Sequence, residues 1–148
     1  MNLLKKITSL LSPTHKDDPF FGRLRFQKAG FWEGRKFFAP ENGEYEITID
    51  GGLEHPTESQ RAFFREVETR YPALKKELSK DFLELLQNWK EDFAEEEVWD
   101  QCSLHGIGIP DIDADKAEWQ LIYELKDDGH CFCPVIENWE IKGIQVDG

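Results

Sequence analysis

Two blocks of alternating residues enclose one block with helical spacing, and this order constrains the fold more than any other feature of the chain. In the first block Tyr45, Ile47 and Ile49 alternate with Glu46, Thr48 and Asp50, the period of two that a half-buried strand requires. Residues 31–38 form a second strand of this block, and Phe20, Leu24 and Phe26 place apolar residues on one face of a third. The turns at Ala29-Gly30 and Pro40-Glu41-Asn42-Gly43 are short, so these three strands are expected to be antiparallel neighbours in a meander.

The middle block opens at Thr57, with Gln60 three residues on, the pattern of a capping box. Phe63, Phe64, Val67 and Tyr71 form an apolar stripe, and Leu74, Leu78, Phe82, Leu85, Leu86 and Trp89 continue it, opposite a face of Lys75, Lys76, Glu77, Lys80, Asp81 and Glu84. Pro72 interrupts the stripe, so two helices or a sharp kink are expected. The second alternating block follows. Cys102–Ile109 suits a strand, and Trp119, Leu121, Tyr123 and Leu125 alternate with Gln120 and Glu124. Asp127-Asp128-Gly129 suits a hairpin turn, and two more strands then meet near Asn138, with Gly143 a bulge position. The expected class is α+β: a mainly antiparallel sheet (strands, two helices, strands) with the helices packed on one face.

At 148 residues the chain is one ordinary domain. The expected division is an amphipathic helix and linker over residues 1–19 and a single domain over 20–148. Leu3, Leu4, Ile7, Leu10 and Leu11 supply the stripe of that helix, and the segment from Pro13 to Pro19 has the composition of a linker. Five Trp, eleven Phe and three Tyr argue for a packed core rather than an acidic disordered chain. Eighteen Lys and Arg against thirty Asp and Glu leave a formal charge of −12. That balance excludes sequence-independent nucleic-acid binding, which draws on cations that neutralise phosphates. No stretch approaches the roughly 20 apolar residues of a spanning helix. The first twelve residues lack the long apolar run and cleavage site of a signal peptide. Three cysteines, an odd number, fit reduced thiols rather than a disulfide framework. A cytoplasmic location is the expectation.

Chemistry has few footholds. Cys102, His105, His130, Cys131 and Cys133 supply ligand types that zinc accepts, and a zinc-binding protein, structural or hydrolytic, is the alternative function. Their spacing argues against it: on plain strands His130 points away from Cys131 and Cys133, and the default is no cofactor. Asp111, Asp113 and Asp115 alternate as calcium ligands could, but Lys116 and Ile122 occupy the positions where an EF-hand needs Gly and Glu. No nucleophile elbow or phosphate loop is present. The chain therefore points away from an enzyme. The remaining candidate is a surface formed by Glu95, Glu96, Glu97, Trp99, Asp100, Asp111, Asp113 and Asp115, whose field speeds encounter with a basic protein.

The phrases Asp18-Pro19-Phe20-Phe21-Gly22-Arg23-Leu24, Phe31-Trp32-Glu33-Gly34, Ile49-Asp50-Gly51-Gly52 and Pro56-Thr57-Glu58-Ser59-Gln60-Arg61 carry a resemblance. Together with the ending from Trp139-Glu140 to Gly148, they are similar to a family of small uncharacterised acidic bacterial proteins. These motifs are turns, strand aromatics and a helix cap, so the resemblance implies a fold and no reaction. Acidic domains of this size and build are also similar to many toxin-immunity proteins, an analogy at the level of fold. The expected function is a non-enzymatic, immunity-like interaction domain for a basic protein partner.

Overall fold

The computed structural model describes residues 14–89, 92–114, 117–126 and 128–148. The helix expected over residues 1–12 lies outside them. Eight strands form one sheet whose spatial order equals chain order. The first four are β1 (His15–Asp18), β2 (Gly22–Gln27), β3 (Phe31–Phe38) and β4 (Gly43–Asp50). Helix α1 (Glu58–Gln87) and the one-turn α2 (Val98–Gln101) follow. The last four strands are β5 (Cys102–Ile109), β6 (Glu118–Leu125), β7 (Cys131–Glu137) and β8 (Glu140–Asp147). Every neighbouring pair is antiparallel except β4 and β5, which run parallel with Ile47 beside Ile107. The fold is thus α+β and mostly antiparallel: two four-stranded meanders joined along one parallel seam.

Two expectations need correction. The polar segment His15–Asp18 is a strand rather than a linker, paired in register from His15 with Arg25 to Asp18 with Gly22. Its last residue explains the difference. The buried Asp18 carboxylate accepts from the Phe20 and Phe21 N–H groups at 3.0 and 2.8 Å and pairs with Arg61 at 2.5 Å, which ties β1 to α1.

Pro72 does not divide the helix. A single helix of thirty residues runs through it, so the middle block is one helix and not two. Tyr71 and Leu74, both buried, anchor the chain on either side of the exposed proline. Packing thus overrides the loss of one backbone hydrogen bond and the ring's clash with the preceding turn. Pro72→Ala is expected to raise stability by about 2 kcal/mol, the interior-proline cost less the entropy that proline removes from the unfolded chain. Urea denaturation checks it, and an unchanged midpoint would mean that the helix has relaxed around the ring without cost.

The Thr57 cap forms as its spacing predicts, with Thr57 Oγ1 accepting from the Gln60 N–H and Gln60 Oε1 accepting from the Thr57 N–H. Ring contacts seat α1 on the sheet: Phe64 meets Phe38 at 5.9 Å, Phe63 meets Trp119 at 5.2 Å, and Phe82 meets Tyr123 and Phe132 at 5.1 and 5.2 Å. Tyr71 and Tyr123 share a buried hydroxyl–hydroxyl bond of 2.8 Å, and Tyr71 also donates to Glu41. By strand alternation the residues between these aromatics point to the opposite face, which carries exposed charges such as Glu46, Glu118 and Glu124.

Candidate functional site

The charged face of the sheet is built differently in its two halves. On the side of β1 to β4, opposite charges stand directly across from each other: Asp17 beside Arg23, Arg25 beside Glu33, and Arg35 beside Glu46. Such pairs stabilise a sheet. On the side of β6 to β8 the register does the reverse. Glu118 pairs with Glu137, and Glu137 pairs with Glu140. Three carboxylates thus stand in a row across three strands, where directly opposed Cβ atoms are about 5 Å apart and like charges destabilise. Strands β4 to β8 hold eight Asp and Glu, one Lys and no Arg. That one cation, Lys142, bonds Glu140 at 3.1 Å, and its ammonium is raised by Glu140 first and by Glu137 less.

The row ends at the free edge of the sheet, and the acidic surface continues there into a groove between β8 and α1. One part of the groove, about 360 Å³, is lined by Asp81, Glu84, Leu85, Ile141 and Ile144 among others. An adjoining part of about 500 Å³ is lined by Glu77, Asp81, Trp139 and Glu140 among others. Leu85, Trp139, Ile141 and Ile144 are half-buried and rest on the core. Trp139 sits in the two-residue turn after β7 with Asn138, at φ of 64° and 50° respectively. This left-handed conformation is uncommon for a bulky residue. Its ring stacks on Phe63 at 5.4 Å under the Arg70 guanidinium, which fixes it at the mouth of the groove.

The residues singled out by charge and spacing are scattered. Glu95, Glu96 and Glu97 form an exposed 3-10 turn before β5, with Asp100 exposed in α2. The Trp99 ring lies against Phe82 and Tyr123, each at 5.6 Å, with Lys75 Nζ above it at 4.7 Å. Asp111 and Asp113 follow the other end of β5. That strand has eight residues, so the two acidic segments stand about 26 Å apart and form no single patch. Asp115 lies outside the described residues.

The thiols and imidazoles also fail to converge. Cys102 is buried, paired with Leu125 on the face that meets α1. Cys131 and Cys133 are on the opposite face. Alternation from the buried Cys102 and Leu104 turns His105 to that charged face, at a bulge before Gly106, and its ring nitrogens stand 3.1 Å from Glu46 and 3.1 Å from Glu124. Glu124 pairs with Cys131, so a carboxylate stands between His105 and Cys131, and Cys133 lies two residues further along the same face of β7. His130 is held by Asp128 instead. Among the described residues no group of three His, Cys, Asp or Glu is placed to hold a metal. Burial pushes the Cys102 thiol up to about 12; burial, with Asp147 and Cys131, pushes Cys133 up to about 11. Both therefore stay protonated near neutral pH in the metal-free protein and are poor nucleophiles.

His55 offered no signal in the sequence beyond its place in a loop. It is buried, with Nε2 3.5 Å from Asp111 and Nδ1 without a hydrogen-bond partner among the described residues. Nearby, burial and then the Asp111 charge raise the Asp50 carboxyl. The carboxylate row was missed for a different reason: Glu118, Glu137 and Glu140 form no charge run, and only strand register unites them. The alternation of β6 with a short hairpin to β7 was the signal that could have placed Glu118 across from Glu137.

Compared with protein-family models, curated proteins and solved structures, the chain matches none at a significant level. Among the described residues no helix is long and apolar enough to cross a membrane.

Proposed function

We propose that the chain is a non-enzymatic binding domain that docks a basic protein partner on the acidic side of the sheet, in the manner of a cytoplasmic immunity protein. In this reading α1 closes one face of the sheet and leaves the charged face for the partner. One observation carries it: Glu118, Glu137 and Glu140 oppose one another across β6 to β8, while β1 to β4 match their charges. A fold selected for stability alone gains nothing from such a row, whereas a basic partner converts the repulsion into attraction and speeds encounter. Glu95 to Glu97 and Asp111 contribute to the long-range field from separate places.

The reading makes a paired prediction. Changing Glu118 and Glu137 together to Gln should stabilise the free protein by about 0.5–1 kcal/mol, by relief of the opposed charges. The same change should weaken retention of the native partner from cell lysate, and added salt should weaken it steeply for the unaltered protein. Denaturation midpoints and retention at two ionic strengths read both effects. A partner held equally by the variant, or equally at high salt, would reject the reading.

A further inference from the structure

The groove beside β8 specifies more than a sign of charge. Its floor is apolar, formed by the half-buried Leu85, Ile141 and Ile144, with Trp139 at one end. Its rim is acidic. The side chains of Glu77, Asp81 and Glu84 carry no hydrogen bond or ion pair among the described residues, and the Glu140 carboxylate binds only Lys142. Among the described residues Lys80 is the one other lysine lining the groove, and the Arg70 guanidinium lies over the Trp139 ring at its mouth, so four carboxylates face two ammonium groups and one guanidinium. The lining runs along α1 from Glu77 to Asn88, about 16 Å at the helical rise and so about three turns of a helix laid beside it.

The edge strand next to the groove is poorly suited to strand addition. Val135 pairs with Gly143 and Ile136 with Ile141, so Lys142 is an extra, bulged residue in the middle of β8. A bulge with a lysine is a common device against edge pairing. An apolar floor between charged rims instead matches the helix-in-groove mode of recognition, in which one stripe of a helix is buried and its flanks meet the rim.

We propose that the groove between the C-terminal half of α1 and β8 receives an amphipathic helix of about three turns from the protein partner, with Lys or Arg on both flanks of its apolar stripe. The inference rests on the reading of the chain as a binder of a basic protein. It assigns the apolar contact to Leu85, Ile141, Ile144 and Trp139, and the charged contact to Glu77, Asp81, Glu84 and Glu140.

The test uses the full chain and a labelled 14-residue peptide of leucine and lysine in helical alternation, followed by fluorescence anisotropy at low salt. Saturable binding is expected, weakened at least about tenfold by Asp81→Lys with Glu84→Lys, and absent for a leucine–glutamate peptide of the same pattern. These are surface changes, and their circular dichroism should equal that of the unaltered protein. Unsaturable binding, or binding indifferent to the two changes, would overturn the assignment. So would a dimer in sedimentation that the same changes dissolve, since the groove would then hold a second copy of this chain. Retention of the native partner separates the two ideas. Loss with Glu118→Gln and Glu137→Gln but not with the groove changes overturns the groove alone, and retention insensitive to salt overturns the broader reading.

Discussion

Asp18→Ala is expected to remove about 3–5 kcal/mol of folding stability, the usual consequence of deleting one partner of a buried ion pair. The Asp18 side chain is 2% exposed and the Arg61 side chain 20%, so the guanidinium left behind would be only partly hydrated. The carboxylate also accepts two backbone N–H groups at the turn into β2, and these lose their acceptor too. Urea denaturation measures the loss. Arg61 would keep the exposed Glu58 at 3.4 Å but lose its buried partner, so a double change with Arg61→Leu should recover part of the loss. A loss below about 1 kcal/mol would show that β1 is dispensable to the sheet.

The same site gives the protein an acid limit. Burial alone pushes the Asp18 carboxyl up, but the Arg61 hydrogen bond and the Phe21 and Phe20 N–H groups outweigh it and hold the carboxyl below its ordinary value. A group lowered in the folded state contributes stability that is complete above its unfolded value, about 3.9, and is lost as pH falls through the folded value. The Asp18→Ala variant should therefore lose stability less steeply than the unaltered protein in that acid window.

Gln60→Ala is expected to cost about 3 kcal/mol or more. The Gln60 amide is fully buried and donates to the carbonyls of Asp50 at 2.7 Å and Pro110 at 2.9 Å, where β4 and β5 end side by side. Its oxygen accepts from the Thr57 N–H to complete the helix cap. Removing it strands buried acceptors at about 1–3 kcal/mol each and weakens the cap by roughly 1 kcal/mol. Gln60→Glu should be costly as well, since a carboxylate cannot donate to either carbonyl. Thermal and urea unfolding check both, and a near-neutral Gln60→Ala would mean that water reaches the two carbonyls.

Much of this architecture is legible in the amino acids because strand side chains repeat every two residues. Tyr45, Ile47 and Ile49 name their strand and its buried face, and so do Trp119, Leu121 and Tyr123. Thr57 and Gln60 name the helix start. What stays hidden depends on residues distant in the chain. His15–Asp18 reads as linker because its strand character comes from pairing with β2 and from Arg61, 43 positions beyond Asp18. Pro72 reads as a break because the packing that holds the helix on both sides of it is tertiary. The carboxylate row was hidden for the same reason. Charge runs such as Glu95–Glu97 attract notice, while Glu118, Glu137 and Glu140 become neighbours only when two hairpins close.

The parallel seam has a kinetic consequence. Six of the seven strand pairings close across neighbouring stretches of chain, whereas Ile47 must find Ile107, sixty positions away. The entropy of closing a long loop is therefore concentrated in one association of two preassembled hairpin stacks. Until that meeting occurs, β4 and β5 each expose a bare hydrogen-bonding edge, and that interval is when the nascent protein is most open to aggregation.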